Sequence, residues 1–290
     1  IDLYHADKSW ISSTGVKHAR GSMAEYRLFL DGYWDNDVKT HFDYGNAMEL
    51  FLIDKEGFNK SVAIAPTHKW VEEALSENPK LVSPRASKTY KDLAARFAEE
   101  NKDKYIIVEE GEKESFQAVQ IQAARCFADE YIAQMLTDID YQSSCYWIDP
   151  ETGLRMKSRP DIAKKKGNVL CNIKTLTDAS PQGFQRKAVE FDWPIQACIE
   201  IEGAIRTGLM PTVDHYFWLA LEKDAPFNVQ LYEFNQSDLE VIRDEYRYLL
   251  RRIKECNETG VWPGYGDQAD NKYGILQLNL PPWYHLKSNQ

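Results

Sequence analysis

The chain has 290 residues, 43% of them apolar and 12% aromatic, enough to bury one large core or two small ones. Its formal net charge of −10 excludes a non-specific nucleic-acid coat, because a duplex repels an acidic surface unless basic groups are gathered into one patch. No run approaches the roughly 18 apolar residues of a membrane helix, and the opening Ile1-Asp-Leu-Tyr-His lacks the basic-then-apolar layout of a secretory leader, so neither membrane insertion nor export is expected.

Along the chain, Ile11-Ser-Ser-Thr-Gly predicts a turn or cap leading into a short helix that includes Val16, Ala19 and Ala24. A second helix is predicted from Gly45 to Ile53, opened by Asp43. Residues 59–114 are polar and broken by Pro66, Pro79 and Pro84, which predicts an irregular, partly helical insertion. Ser115 stands where an N-cap should, and Phe116, Val119, Ala123, Cys126 and Tyr131 recur at helical spacing up to Leu136. Three β-rich runs follow, Ser143–Ile148, Arg155–Ile162 and Asn168–Thr175, separated by the turn sequences Asp149-Pro-Glu-Thr-Gly and Lys164-Lys-Lys-Gly-Asn; they predict an antiparallel meander.

After Pro181 a helical stretch precedes a stronger helix from Trp193 to Arg206, closed by Gly208, and further strands are predicted at His215–Leu221 and Asn228–Phe234. Ser237-Asp-Leu-Glu240 matches a capping box at the head of a helix running to Asn257. With no internal repeat or low-complexity linker, the sequence predicts one α/β domain over residues 1–290. Within it, residues 1–114 form a helical elaboration, 115–260 a core with a mixed sheet of about five strands flanked by helices, and 261–290 a tail.

The five cysteines are odd in number, widely spaced and without a C-x-x-C pair, which fits reduced thiols in a cytoplasmic protein rather than a zinc or iron–sulfur site. The six histidines, His5, His18, His41, His68, His215 and His285, lack helical metal-site spacing and read as structural or surface groups.

The chemistry is concentrated in one hairpin. Arg159-Pro-Asp161-Ile closes one strand and Cys171-Asn172-Ile173-Lys174-Thr closes the next, and positions two apart on a strand share a face, so an acid, an amide and an ammonium can converge. Phosphodiester hydrolysis by a divalent metal needs carboxylates to hold the ion against phosphate and a lysine to orient or deprotonate water. A surface hairpin with an ordinary charge pair is the bland alternative. Candidate DNA contacts are Lys157, Arg159, Lys164, Lys165, Lys166, Arg186 and Lys187, although Lys164–Lys166 read equally well as a solvated turn. Tyr33, Trp34, Trp147, Trp193, Trp262 and Tyr265 are candidates for base stacking, with core positions as the commoner use.

The run from Tyr146 to Ile162 followed by Cys171-Asn-Ile-Lys-Thr resembles the nuclease core of RecE-type (exodeoxyribonuclease VIII-like) phage exonucleases, PD-(D/E)xK enzymes related to lambda exonuclease and the RecB nuclease domain. Two earlier blocks, Tyr4-His-Ala-Asp with Ile11-Ser-Ser-Thr-Gly-Val-Lys, and Tyr44 to Phe58, resemble the same family in the same order, leaving residues 59–115 poorly matched. The resemblance implies a restriction-endonuclease-like core and 5′-to-3′ resection of one strand from double-stranded DNA ends. It also implies a ring of three or four copies and a single-strand annealing partner in the cytoplasm of a bacterial host. Asp161 matches the metal-binding aspartate, Lys174 the catalytic lysine and Gln196 the glutamine of a Q-x-x-x-Y element, where a buried sheet-capping glutamine is the alternative. Asp161, the residue at 172, the Ile173 carbonyl and Glu49 would hold one or two Mg²⁺, with Mn²⁺ expected to substitute.

Three positions depart from the family pattern. Asn172 stands where the second acid belongs, and an amide is a far poorer Mg²⁺ ligand than a carboxylate, so the sequence predicts impaired cleavage and a gain on Asn172→Asp. An inactivated enzyme and a naturally nuclease-dead DNA- or protein-binding scaffold both fit, as does, apart from that acid, a restriction-like endonuclease. Glu49 replaces a histidine; it can ligate a hard cation or be a solvated helix-face group. Glu200 replaces the tyrosine of Q-x-x-x-Y.

Overall fold

The structure, a computed structural model, describes residue 4 and residues 7–33, 43–111, 113–269 and 271–279; His5, Trp34, His41 and His285 fall outside these. Helices α1 (Ser13–Gly21) and α2 (Met23–Leu30) replace the single helix expected through Ala24. The break lies at Ser22, whose extended backbone leaves the helix and whose hydroxyl caps α2 by accepting the Glu25 N–H at 3.0 Å. Helix α3 (Asp43–Ile53) then forms as the sequence predicts.

The insertion is more regular than its composition suggests. It contains α4 (Lys55–Ser61), β1 (Val62–Ala65), α5 (Thr67–Glu77), α6 (Lys88–Glu100) and β2 (Tyr105–Val108), with β1 and β2 paired in parallel. Parallel strands need a helical crossover, which α5 and α6 provide, and Trp70 anchors the crossover edge-on against Tyr90 and Phe97 at 5.6 and 5.5 Å. Ser115 caps α7 (Phe116–Ala128), and Asp129 ends it by capping α8 (Glu130–Met135), so the helix expected to reach Leu136 is two pieces.

The expected meander also divides. β3 (Asp140–Tyr141) precedes β4 (Cys145–Ile148) and β5 (Arg155–Ser158), which form a separate antiparallel ribbon, whereas β6 (Ile162–Lys164) and β7 (Val169–Leu176) belong to the main sheet. Pro160 sits at the break, where a residue with no N–H ends the ladder of β5 and the chain turns into β6. Helices α9 (Pro181–Glu190) and α10 (Trp193–Arg206) cross over to β8 (His215–Glu222), parallel to β7, and β9 (Val229–Glu233) completes a five-stranded mixed sheet in the order β3–β6–β7–β8–β9. The last helix, α11 (Gln236–Thr259), is capped by Asn235, whose side chain accepts the Ser237 N–H, so the true cap lies two residues before the predicted box.

Period-two alternation decides which helices each sheet face meets. Cys171, Ile173, Phe217 and Leu219 pack on α3 and α7 through Met48, Val119 and Cys126. Leu170, Tyr216, Trp218 and Ala220 face α9 and α10 through Phe184, Trp193 and Ala197. Asn172 and Lys174, in register with these, are therefore directed to α10. Helix α10 also lies against the β4–β5 ribbon, and it can do so only because position 203 is glycine: a Cβ there would meet Ser158 Oγ at 2.3 Å and the Trp147 ring at 2.8 Å. Gly203→Ala should cost about 1–3 kcal/mol by overpacking, outweighing the helix propensity gained, and a chemical melt no less stable than the parent would show that the ribbon yields.

Candidate active site

The site is assembled from five segments. The turn after Pro160 presents Asp161, whose backbone N–H donates to Asn172 Oδ1 at 3.0 Å and whose Oδ2 accepts the Ile173 N–H at 2.8 Å. The side chain is thereby clamped across the β6–β7 hairpin. Lys174 donates from Nζ to Gln196 Oε1 at 3.2 Å and lies 5.5 Å from the centre of the Trp193 ring, both on α10. One turn further along α10, Glu200 Oε1 accepts from Gln196 Nε2 at 2.8 Å. From α3, Glu49 accepts a hydrogen bond from the Gln142 amide.

A cleft of about 280 Å³ is lined by Glu49, Gln142, Asp161, Gln196 and Glu200, with Lys17 and Arg159 among others. Of the residues singled out in the sequence, Asp161, Gln196 and Glu49 line it, and Lys174 is tied to it through Gln196. Asn172 is fully buried behind them, its Nδ2 donating to Glu200 Oε2 at 2.9 Å and to Tyr216 Oη at 2.8 Å. Ile173 contributes its N–H to Asp161.

Burial and crowding set the electrostatics. Glu49 is pushed up to about 8, first by burial and then by the Asp161 charge, and Glu200 to about 7 for the same two reasons. Asp161 is raised by burial, opposed by the Lys174 ammonium and the Ile173 N–H. Lys17, from α1, is lowered to about 8 by burial and then by Lys174. The Lys174 ammonium opposes the rise at all three carboxylates.

Three oxygen-donor carboxylates that repel one another in a cleft form a set suited to a hard divalent cation. Gln142 Oε1, on the same cleft, is buried with no hydrogen-bond partner, a further oxygen that a cation or its water would satisfy. Asp161, Glu49 and Glu200 are the lining carboxylates that could hold such an ion, although among the described residues no cluster of three His, Cys, Asp or Glu is tight enough to be a metal cage by itself.

Protons held by these raised carboxyls give a testable pH dependence. Unfolded glutamate releases its proton near 4.5, so the metal-depleted fold is favoured below that value and loses stability as pH rises through about 7 and 8. The melting temperature without metal should fall by about 5 °C or more between about pH 5 and pH 8.5. Millimolar Mn²⁺ should recover it mainly at the alkaline end; a recovery equal at both ends would sever the link to these groups.

Most of the expected DNA contacts are engaged elsewhere. Lys157 is buried and donates to the carbonyls of Tyr4 and Asp7, Lys164 to those of Gln134 and Thr137, and Lys165, Arg186 and Lys187 pair with Asp140, Asp178 and Glu190. The Lys164–Lys166 turn is at the end of the hairpin remote from Lys174, so of that group only Arg159 lines the cleft. Trp147 and Trp193 are core residues, while Tyr33 and Tyr265 are exposed. All five cysteines are unpaired and buried, and His18, His68 and His215 each face a glutamate. No described helix is long and apolar enough to cross a membrane.

Lys17 and Gln142 were not singled out as site residues in the sequence. Lys17 sits in a block resembling the exonucleases, which was the available signal; Gln142 had none, because only the return of the chain at β3 brings it to Glu49.

The sequence profile of a family described as a PDDEXK-like domain of unknown function, DUF3799, matches residues 12–272. The structure superposes on that of a candidate exonuclease of Eubacterium rectale with a TM-score of 0.58 at 14% identity, covering 99% of this chain and 96% of that one, a likeness of fold. A phage-related exonuclease of Haemophilus somnus aligns at 8% identity over 70% of this chain and 99% of its own, with a TM-score of 0.28, too loose to bear on the fold. No curated protein matches the sequence.

Proposed function

From the premise that the chain belongs to the PDDEXK-like family DUF3799, we propose that it is a divalent-metal-dependent exonuclease that hydrolyses one strand of linear duplex DNA. The observation that supports this reading is that one hairpin carries both Asp161, which lines the cleft, and Lys174, which hydrogen-bonds Gln196 of the same cleft, so a carboxylate and an ammonium stand near a common space.

Asp161 and Glu49 would hold the cation, with the Ile173 carbonyl and residue 172 as the further positions implied by the family pattern; Mg²⁺ is the proposed ion and Mn²⁺ the substitute. Once bound, the ion would polarise a phosphate oxygen and lower the pKa of its water. Lys174, steadied by Gln196, orients the attacking water and offsets charge building on the phosphate. The water oxygen bonds to phosphorus, the bond from phosphorus to the sugar oxygen breaks, and that oxygen takes up a proton. Lys17 and Arg159 add positive charge to the cleft wall, offsetting the carboxylates that an anionic backbone would meet there.

The 5′-to-3′ direction, a ring of three or four copies and an annealing partner for the exposed strand are part of the proposal through the resemblance to RecE-type enzymes. A ring would reconcile the net charge of −10 with DNA binding, since facing copies would gather basic groups in a channel. The deciding experiment incubates 5′-labelled and 3′-labelled linear duplex, beside supercoiled plasmid, with Mg²⁺, Mn²⁺ or chelator. Metal-dependent early release of the 5′ label alone is expected. Linearised plasmid would favour a restriction-like endonuclease, and no cleavage in either metal would refute the enzyme reading in favour of a binding scaffold.

A further inference from the structure

We propose that Glu200 supplies the metal-binding carboxylate that strand position 172 lacks, with Asn172 as the residue that positions it. The inference rests on the nuclease reading and extends it to a residue outside the strand motif.

Asn172 makes three of the four hydrogen bonds open to an amide, with both of its donors engaged. Its Oδ1 accepts the Asp161 N–H at 3.0 Å, and its two Nδ2 hydrogens go to Glu200 Oε2 at 2.9 Å and Tyr216 Oη at 2.8 Å. The amide orientation is forced, because a backbone N–H can only donate and a carboxylate can only accept. An aspartate at this position could not donate to Glu200, so the amide is the side chain that a carboxylate at 200 requires.

Glu200 lines the cleft with both oxygens engaged. Oε2 accepts from Asn172 and from the Tyr216 hydroxyl at 2.7 Å, and Oε1 accepts from Gln196, whose own oxygen accepts from Lys174. The carboxylate is 3% exposed, yet among the described residues no lysine or arginine forms an ion pair with it. The Lys174 ammonium reaches it through Gln196, and a cation bound between Glu200 and Asp161 would neutralise the crowded pair. Both residues line the same cleft. The acid that the motif places on a strand is thus carried by the facing helix, and the chain keeps a carboxylate pair.

Mn²⁺ binding, read by titration calorimetry with the full chain, tests this without recourse to cleavage. Wild type should bind, and Glu200→Gln should weaken binding by about tenfold or more. The pair Asn172→Asp with Glu200→Gln inverts each donor and acceptor between the two positions, returns the carboxylate to the strand, and should restore affinity to within about threefold of wild type. Should Glu200→Gln not fold by circular dichroism, Glu200→Asp keeps the charge but withdraws it by one methylene, and weaker Mn²⁺ binding is again expected. Wild-type affinity in the Glu200 variants, alongside loss of binding in Asp161→Asn, would overturn this inference while leaving the nuclease reading intact, Glu200 then being only a latch between α10 and β7. A wild-type chain that binds no Mn²⁺ would take both down.

Discussion

Lys174→Ala is expected to lower metal-dependent digestion of linear duplex about a thousandfold or more while leaving duplex binding nearly unchanged. The side chain is half-buried and its polar contact is a 3.2 Å hydrogen bond to Gln196, with the Trp193 ring 5.5 Å away. What it does supply is charge: it opposes the rise in pKa of Asp161, Glu49 and Glu200 together. Losing a group that offsets transition-state charge typically costs about 10²–10³, and losing a proton-transfer partner about 10²–10⁴. Lys174→Met, which keeps the apolar stem over Trp193, should be as inactive as the alanine variant, separating charge from packing. Single-turnover digestion of end-labelled duplex is the measurement, and a rate within about tenfold of the parent in either variant would remove Lys174 from the chemistry.

The hairpin that carries Asp161 and Lys174 was legible because it is local: two β-rich runs, a basic turn and a period of two suffice to put 172 and 174 on one face. The Ser115 cap and the Trp193–Arg206 helix were legible for the same reason, each being marked by residues within one turn of the feature. Other features depend on contacts that no local pattern encodes. Pro160 was visible, but that it diverts β5 into a second ribbon depends on what Ile11, bonded to Arg155 and Lys157, offers as a neighbour. The β1–β2 pair was missed because four-residue apolar runs separated by two helices carry no alternation long enough to read. Glu200 was seen only as a departure from a motif, since its partners Asn172 and Tyr216 lie on two different strands and meet it only after the α9–α10 crossover.

Asn172→Asp is the second large effect, and sequence and structure predict opposite results. Read from the motif alone, the substitution completes an acidic pair and raises cleavage by orders of magnitude. In the folded chain it removes two donated hydrogen bonds and sets a second carboxylate against Glu200 Oε2, a contact now made by Asn172 Nδ2 at 2.9 Å in a fully buried position. Leaving buried charge uncompensated typically costs about 3 kcal/mol or more, so the metal-free variant should melt about 6 °C or more below the parent near pH 8. The sign with pH follows from the introduced acid, whose pKa must be raised by folding. The penalty is fully expressed above that raised pKa and vanishes as the pH falls below the value of an unfolded aspartate, about 4. Mn²⁺ should narrow the gap by neutralising the crowded pair, and cleavage should stay within about threefold of the parent because a carboxylate already stands at 200. A gain of a hundredfold or more with an unchanged melting temperature would show instead that position 172 had been waiting for its acid, and that Glu200 only holds helix to strand.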